Sequence, residues 1–164
     1  MRGECAMHTS IRIRRADHTD PSVAREIHAV QVAAYAQEAT LLGVARLPPL
    51  TRTVDDLRAL DETFRAAYSG DQMVGAISVQ ADPAERRQHI CSLVVAPGFQ
   101  RQGIARALLA EIQRLHAADV ITVHTGAKNT PALALYAQFG FVEGRRWQVG
   151  PQCLELVELQ RTPR

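Results

Sequence analysis

The chain has 164 residues, 46% hydrophobic and 22% charged, which suits one ordinary globular domain, 1–164, with a sizeable core. Its formal net charge of +2 is too mild for the concentrated basic face that nucleic-acid binding needs, so no nucleic-acid partner is expected. No apolar run approaches the ~20 residues that span a bilayer, and residues 1–20 lack the apolar stretch of a signal peptide; the expectation is a cytoplasmic protein without a membrane partner, its first ten residues disordered.

Residues 11–16, IRIRRA, alternate apolar and basic side chains and read as a strand with one wet face. Asp20-Pro21-Ser22 offers a helix start. Val23, Ile27, Val30 and Ala34 then recur at helical spacing, predicting a helix to about Ala39. Gly43 and the Pro48-Pro49 pair break regular helix in 40–53, yet Leu41, Leu42, Val44, Leu47 and Leu50 are too apolar for a plain solvated linker. That segment reads as a lid or loop packed on the body. Thr53 caps a short helix over 54–60. Residues 62–69 and 72–80 flank Gly70-Asp71 as a hairpin, and Asp82-Pro83 marks another turn. The segment 87–96 ends in the continuous apolar run Leu93-Val94-Val95, as strands buried on both faces do.

A glycine-containing basic loop, 98-GFQRQG-103, follows at once, and a helix over about 102–117 follows the loop. The first N–H groups of that helix lack internal partners and favour an anion, and Gly98 and Gly103 let backbone approach it without a Cβ in the way. Arg101 and Arg106 add donors suited to phosphate. The alternative is a tight turn with solvated arginines. Neither GxGxxG nor GxxxxGK[ST] occurs, which argues against a Rossmann dinucleotide site and a P-loop. A strand over 119–125, a helix from about Pro131 to Gln138 ended by Gly140, and a terminal hairpin of 141–149 and 152–160 complete the chain. Strand, helix and strand in this order predict a right-handed parallel crossover. The three cysteines, Cys5, Cys91 and Cys153, form no CxxC and no metal-ligand spacing; buried free thiols and no metal site are expected.

Val95-Ala96-Pro97 followed by Gln100-Arg101-Gln102-Gly103-Ile104-Ala105 resembles motif A of the GNAT superfamily of acyl-CoA-dependent N-acyltransferases, (Q/R)-x-x-G-x-(G/A) between a strand and a helix. Downstream, 129-NTPALALYAQFGFVEGRRW-147 is similar to motif B of the same superfamily, and segment 32–50 resembles bacterial members of it. The resemblance implies an α/β (α+β) single-domain GNAT-like fold: a mixed, largely antiparallel twisted sheet of about 6–7 strands with a splayed parallel pair and about four helices on both faces.

It further implies acetyl-CoA as co-substrate. Leu93, Val94 and Val95 would offer backbone groups to the pantetheine arm. Gln100, Arg101, Gln102, Gly103, Ile104, Ala105 and Arg106 would cradle the pyrophosphate, and Asn129 would contact the cofactor arm. Tyr136 would sit by the thioester sulfur as general acid, its reference pKa of about 10 not far above the ~8.5 of a thiol; the alternative is a core aromatic. Many relatives place a glutamate on strand 89–95 or 119–125. Here neither has one. His124 takes that place as candidate base, with His89, or no protein base, as alternatives. Tyr35, Glu38, Asp55, Asp56, Glu62 and Trp147 are candidates for amine recognition. The implied reaction is acetyl transfer to a primary amine of a small molecule or peptide by direct attack in a ternary complex. The alternative is a non-catalytic acyl-CoA sensor or scaffold of the same fold. By analogy the terminal hairpin builds a homodimer.

Overall fold

The computed structural model describes residues 10–45, 47 and 51–163. Cys5, the Pro48-Pro49 pair, Leu50 and nearly all of the N-terminal stretch expected to be disordered lie outside the described residues. Seven strands form one sheet: β1 (Ile11–Ala16), β2 (Thr63–Ser69), β3 (Gln72–Asp82), β4 (Arg87–Val95), β5 (Val120–Gly126), β6 (Val142–Val149) and β7 (Leu154–Arg161), in the order β1-β2-β3-β4-β5-β7-β6. Every neighbouring pair is antiparallel except β4 and β5. Four helices flank it: α1 (Pro21–Leu42), α2 (Val54–Arg58), α3 (Ile104–Leu115) and α4 (Thr130–Gln138).

Each helix starts where a side chain or a permissive backbone satisfies its first N–H groups. The Asp20 carboxylate accepts from the N–H of Ser22 (2.8 Å) and Val23 (3.3 Å). Thr53 and Asp56 form a reciprocal capping box on α2. Asn129 Oδ1 accepts from Ala132 N at 3.2 Å at the head of α4. Helix α1 runs three residues beyond the expected end, because Thr40, Leu41 and Leu42 tolerate helix and the stop is Gly43. With φ 71°, Gly43 closes the helix: its N–H bonds Thr40 O, and Val44 N bonds Ala39 O. The last turn places Leu42 in the core. Helix α3 is shorter than expected at both ends, because left-handed Gly103 caps it at one end and non-helical His116 ends it at the other. Likewise α2 stops at Arg58.

The two faces of the sheet are closed by different helices. Ala24, Ile27, Val30, Ala39 and Leu42 of α1 join Leu57 of α2, Phe64 and Val94 in one core cluster. Ile104, Leu108, Leu109 and Ile112 of α3 join Tyr136, Phe141, Ile77, Ile90 and Ile121 in the other. Each fully buried large aliphatic stabilises by roughly 1.5–3 kcal/mol.

Strand β4 serves both cores through a bulge. Ser78 pairs with Ser92 but Val79 pairs with Ile90, so Cys91 is the extra residue. Strict alternation would put Ile90, Ser92 and Val94 on one face; the extra residue lets Ile90 face α3 while Ser92 and Val94 face α1. The bulge and the β6–β7 turn also correct the expectation of buried thiols. Cys91 on the bulge and Cys153 in the turn, at φ 52°, are both exposed. Among the described residues, no group of His, Cys, Asp and Glu is placed to hold a metal ion, and no helix is long and apolar enough to cross a membrane.

Candidate active site

The parallel pair opens along its length. Arg87 to Ile90 pair with Val120 to Val123, and pairing stops there. From Cys91 to Val95 the β4 edge facing β5 has no strand partner among the described residues, the gap expected of a strand-end crevice in α/β sheets. A cleft of about 280 Å³ occupies the gap, lined by Ser92 and Leu93 from β4, His124 and Thr125 from β5, Glu38 from α1, and Tyr136 from α4.

The glycine-containing loop leads from the end of β4 to α3. Pro97–Phe99 form a single 3-10 turn, Arg101 is left-handed at φ 62°, and Gly103 at φ 78° is the N-cap of α3. The first intrahelical bond is Ala107 N to Gly103 O, so the N–H groups of Ile104, Ala105 and Arg106 precede the ladder and are free to meet an anion. Arg101 and Gln102 are exposed there. Gln100 Nε2 donates to Gln37 Oε1 of α1 at 2.5 Å, tying the loop to the helix across the cleft. The Ile104 side chain is buried in the core, so only its backbone serves the loop. The Arg106 guanidinium turns to α4, where it bonds Gln138 and lies 5.4 Å from the Phe139 ring centre. Among the described residues, Arg101 is thus the loop's cation without a partner. Val94 points into the α1 core and Val95 packs toward α3, so their contribution to the cleft is backbone; Leu93 lines it.

Tyr136 lies against Phe141, ring centres 5.2 Å apart, and its hydroxyl has no hydrogen-bond partner among the described residues. Burial, then the charges of Tyr35 and Glu38, hold its pKa well above the usual tyrosine value. That burial widens the gap to a thiol beyond the one expected from the reference values, so the phenol keeps its proton at neutral pH. Asn129 is committed on both sides. Its Oδ1 caps α4 and its Nδ2 donates to Glu38 Oε1 at 3.2 Å. Desolvation raises the Glu38 pKa, and the Asn129 bond opposes that shift. Tyr35 donates to or accepts from Ser92 Oγ at 2.7 Å, and burial pushes its pKa up to about 12.

His124 sits opposite Glu158 in the β5–β7 register, with Nε2 3.0 Å from Glu158 Oε2. That bond holds the carboxyl below the usual glutamate value, so it is an acceptor only. Nε2 therefore carries the hydrogen in neutral His124, and Nδ1 carries the lone pair. The His124 ring stacks edge-on with His89 at 4.6 Å and with Trp147 at 4.8 Å. His89 shares the face but not the cleft lining. Its Nδ1 is 2.8 Å from Thr122 Oγ1, and burial, then the charge of His124, lowers its pKa. Of the other polar candidates, Tyr35 and Glu38 line the cleft. Asp56 is consumed by the cap of α2, Asp55 pairs with Arg58 at 3.5 Å, and Glu62 accepts from Ser78 Oγ at 2.7 Å.

Residues 26–141 match the sequence profile described as "Acetyltransferase (GNAT) family". The chain belongs to the GNAT family. It is 40% identical over 128 residues to the UPF0157 protein YqkA of Bacillus subtilis (strain 168), a stretch covering 76% of this chain and 36% of that protein. Solved structures with the same fold include the ribosomal-protein-S18-alanine N-acetyltransferase of Escherichia coli, at TM-score 0.72 and 16% identity over 92% of each chain. PaiA N-acetyltransferase of Thermoplasma acidophilum, in complex with coenzyme A, gives TM-score 0.72 and 14% identity over 93% of this chain and 99% of that one. YncA of Salmonella typhimurium, with acetyl-CoA, gives TM-score 0.72 and 20% identity over 93% of this chain and 94% of that one. The sheet order, the splayed parallel pair and the helices on both faces are those expected of the GNAT fold.

Three features of this GNAT protein escape its sequence motifs. Glu158 meets His124 only through the β5–β7 register. Leu42 reaches the cleft only because α1 continues past Ala39, and there it packs on Gly126, where a Cβ would lie 2.7 Å from Leu42 Cδ2. Gln152 Oε1 accepts from Ala45 N at 3.2 Å, fastening the segment after α1 to the terminal hairpin.

Proposed function

We propose that this GNAT protein is an N-acetyltransferase that moves an acetyl group from acetyl-CoA to a primary amine by direct attack in a ternary complex. The observation carrying the proposal is the β4 edge from Cys91 to Val95, unpaired among the described residues, which leads from a cleft lined by both Tyr136 and His124 to the loop that opens the N-terminus of α3.

The free N–H groups at the head of α3, with Arg101, hold the diphosphate, and the bare β4 edge bonds the pantetheine amides as a sheet edge bonds a strand. When bound, acetyl-CoA supplies an activated acyl thioester. A backbone N–H of Val94 or Val95 stabilises the developing oxyanion. His124 accepts the proton of the incoming amine at Nδ1, and Glu158 orients the ring and balances the imidazolium charge. Tyr136 donates its hydroxyl hydrogen bond to the departing sulfur, a role its high pKa permits better than full proton transfer. The apolar wall of Leu42, Leu47, Leu154 and Leu156 excludes water from competing attack. Dependence on acetyl-CoA favours the cytoplasm, and β6, the edge strand contributed by the terminal hairpin, with Val142 71% exposed, is the edge along which the homodimer would form.

Thiol release from acetyl-CoA over a panel of primary amines, run beside calorimetry with coenzyme A, tests the proposal. Release above the amine-free rate, with coenzyme binding, supports it. Coenzyme binding without release from any amine makes the chain an acyl-CoA sensor. No binding at millimolar coenzyme overturns the cleft assignment.

A further inference from the structure

Glu38 is a carboxylate of the cleft that the transfer chemistry leaves unused. Among the described residues that line the cleft it is the only Asp or Glu, and none of them is Lys or Arg. Glu38 Oε1 accepts from Asn129 Nδ2 at 3.2 Å, while Oε2 has no partner among the described residues. Glu158 next to the cleft has its imidazole partner in His124; Glu38 has no cation beside it.

The carboxylate is nonetheless held in place. Asn129 is itself fixed by its cap on α4, the helix that carries Tyr136. The Glu38 charge bears on the hydroxyls of both Tyr136 and Tyr35, so it acts inside the chamber where the acyl group is to be transferred. A half-buried carboxylate without a cation costs stability, and desolvation raises its pKa accordingly. A ligand that brings the missing cation recovers that cost. The reacting amine does not suit this place. Gripped by a carboxylate it is favoured as ammonium, with its lone pair tied up in a proton. Leu42, Leu154, Leu156 and Ile90 give the same cleft apolar walls, suited to a short chain of methylene groups.

We infer that the acceptor carries a second positive charge besides the amine that is acylated, as a short aliphatic diamine does. Resting on the acetyl-transfer reading, the inference seats the spare ammonium on Glu38 Oε2, the chain against the apolar walls, and the neutral amine at His124.

Matched pairs test it. 1,3-Diaminopropane, 1,4-diaminobutane and 1,5-diaminopentane are each compared with the amino alcohol of the same chain length, by kcat/KM at equal concentrations of the form with a neutral amine, with acetyl-CoA saturating. Binding of each to the coenzyme A complex is measured by calorimetry in parallel, so the subsite is read even without turnover. The best diamine is expected to exceed its amino alcohol by about tenfold or more, beyond the ~2-fold that two equivalent amines give, as one charge-assisted contact does. Glu38→Gln keeps an acceptor oxygen for Asn129 and removes the charge. It is expected to bring the diamine to within about threefold of the amino alcohol, mainly through KM. A diamine no better than its amino alcohol, or a diamine advantage that survives Glu38→Gln, overturns the inference and leaves acetyl transfer itself standing. Absence of thiol release from every pair, with diamine binding that Glu38→Gln abolishes, sinks the transfer reading and keeps the cation subsite. Neither release nor diamine binding overturns the inference.

Discussion

Replacing Tyr136 by phenylalanine separates chemistry from architecture at this site. The change removes one oxygen. No hydrogen bond among the described residues is lost, so no buried partner is left unsatisfied, and the edge contact with Phe141 at 5.2 Å is retained. Folding stability is expected to change by less than about 0.5 kcal/mol, a melting shift under about 2 °C for a chain of this size. Turnover behaves differently. If the hydroxyl stabilises the departing sulfur, its removal lowers kcat by about 100-fold, ~2.7 kcal/mol of barrier, within the span of acid–base contributions. Coenzyme A affinity should stay within about threefold, because the proposed diphosphate contacts lie at α3. Burial holds the phenol well above its usual pKa, so Tyr136 stays protonated and contributes no basic limb to the wild-type rate profile below about pH 10. Stopped thiol-release assays, calorimetry with coenzyme A and a melting curve on the same preparation give the three numbers. A kcat within threefold of wild type, or a fall in kcat matched by a comparable loss of melting temperature, refutes the assignment.

His124→Ala should lower kcat by about 100-fold, and Glu158→Gln by less, since the amide still accepts from Nε2 but no longer balances an imidazolium; equal losses in steady-state assays would contradict a positioning role for Glu158. Gly126→Ala puts a Cβ 2.7 Å from Leu42 Cδ2 and 2.8 Å from Cδ1. It should cost about 1–3 kcal/mol in denaturant melts, and less than about 0.5 kcal/mol in a Leu42→Ala background. Glu38 has a folded-state pKa raised above 4.5 by desolvation, so its ionised form opposes folding at neutral pH. Glu38→Gln should be more stable than wild type at pH 8, the advantage shrinking as pH falls toward 4.5; an advantage that grows on acidification would contradict that sign.

How much of this was legible beforehand varied with the range of the interactions concerned. The caps and stops are local chemistry, so Asp20, Thr53 and the left-handed Gly43 and Gly103 could be placed or bracketed from sequence. The loop before α3 was equally legible, because a helix start and two glycines carry their own geometry. The partners of the site residues were not. Glu158 reaches His124 from 34 positions away through strand register, and Asn129 meets Glu38 across 91 positions. The bulge at Cys91 arises from a mismatch between two strands and leaves no mark in either one alone. That mismatch is why a cysteine expected in the core lies exposed.

Helix α1 acts as a ruler laid against the splayed end of the parallel pair. Its start is pinned by Asp20 and its end by Gly43, so the count of residues between them decides which side chain rests on Gly126. One added residue turns everything beyond it by about 100° around the axis, which would swing Leu42 off the glycine and out of the wall of the cleft. The shape of the cleft is thus written in the length of a helix as well as in the residues that line it.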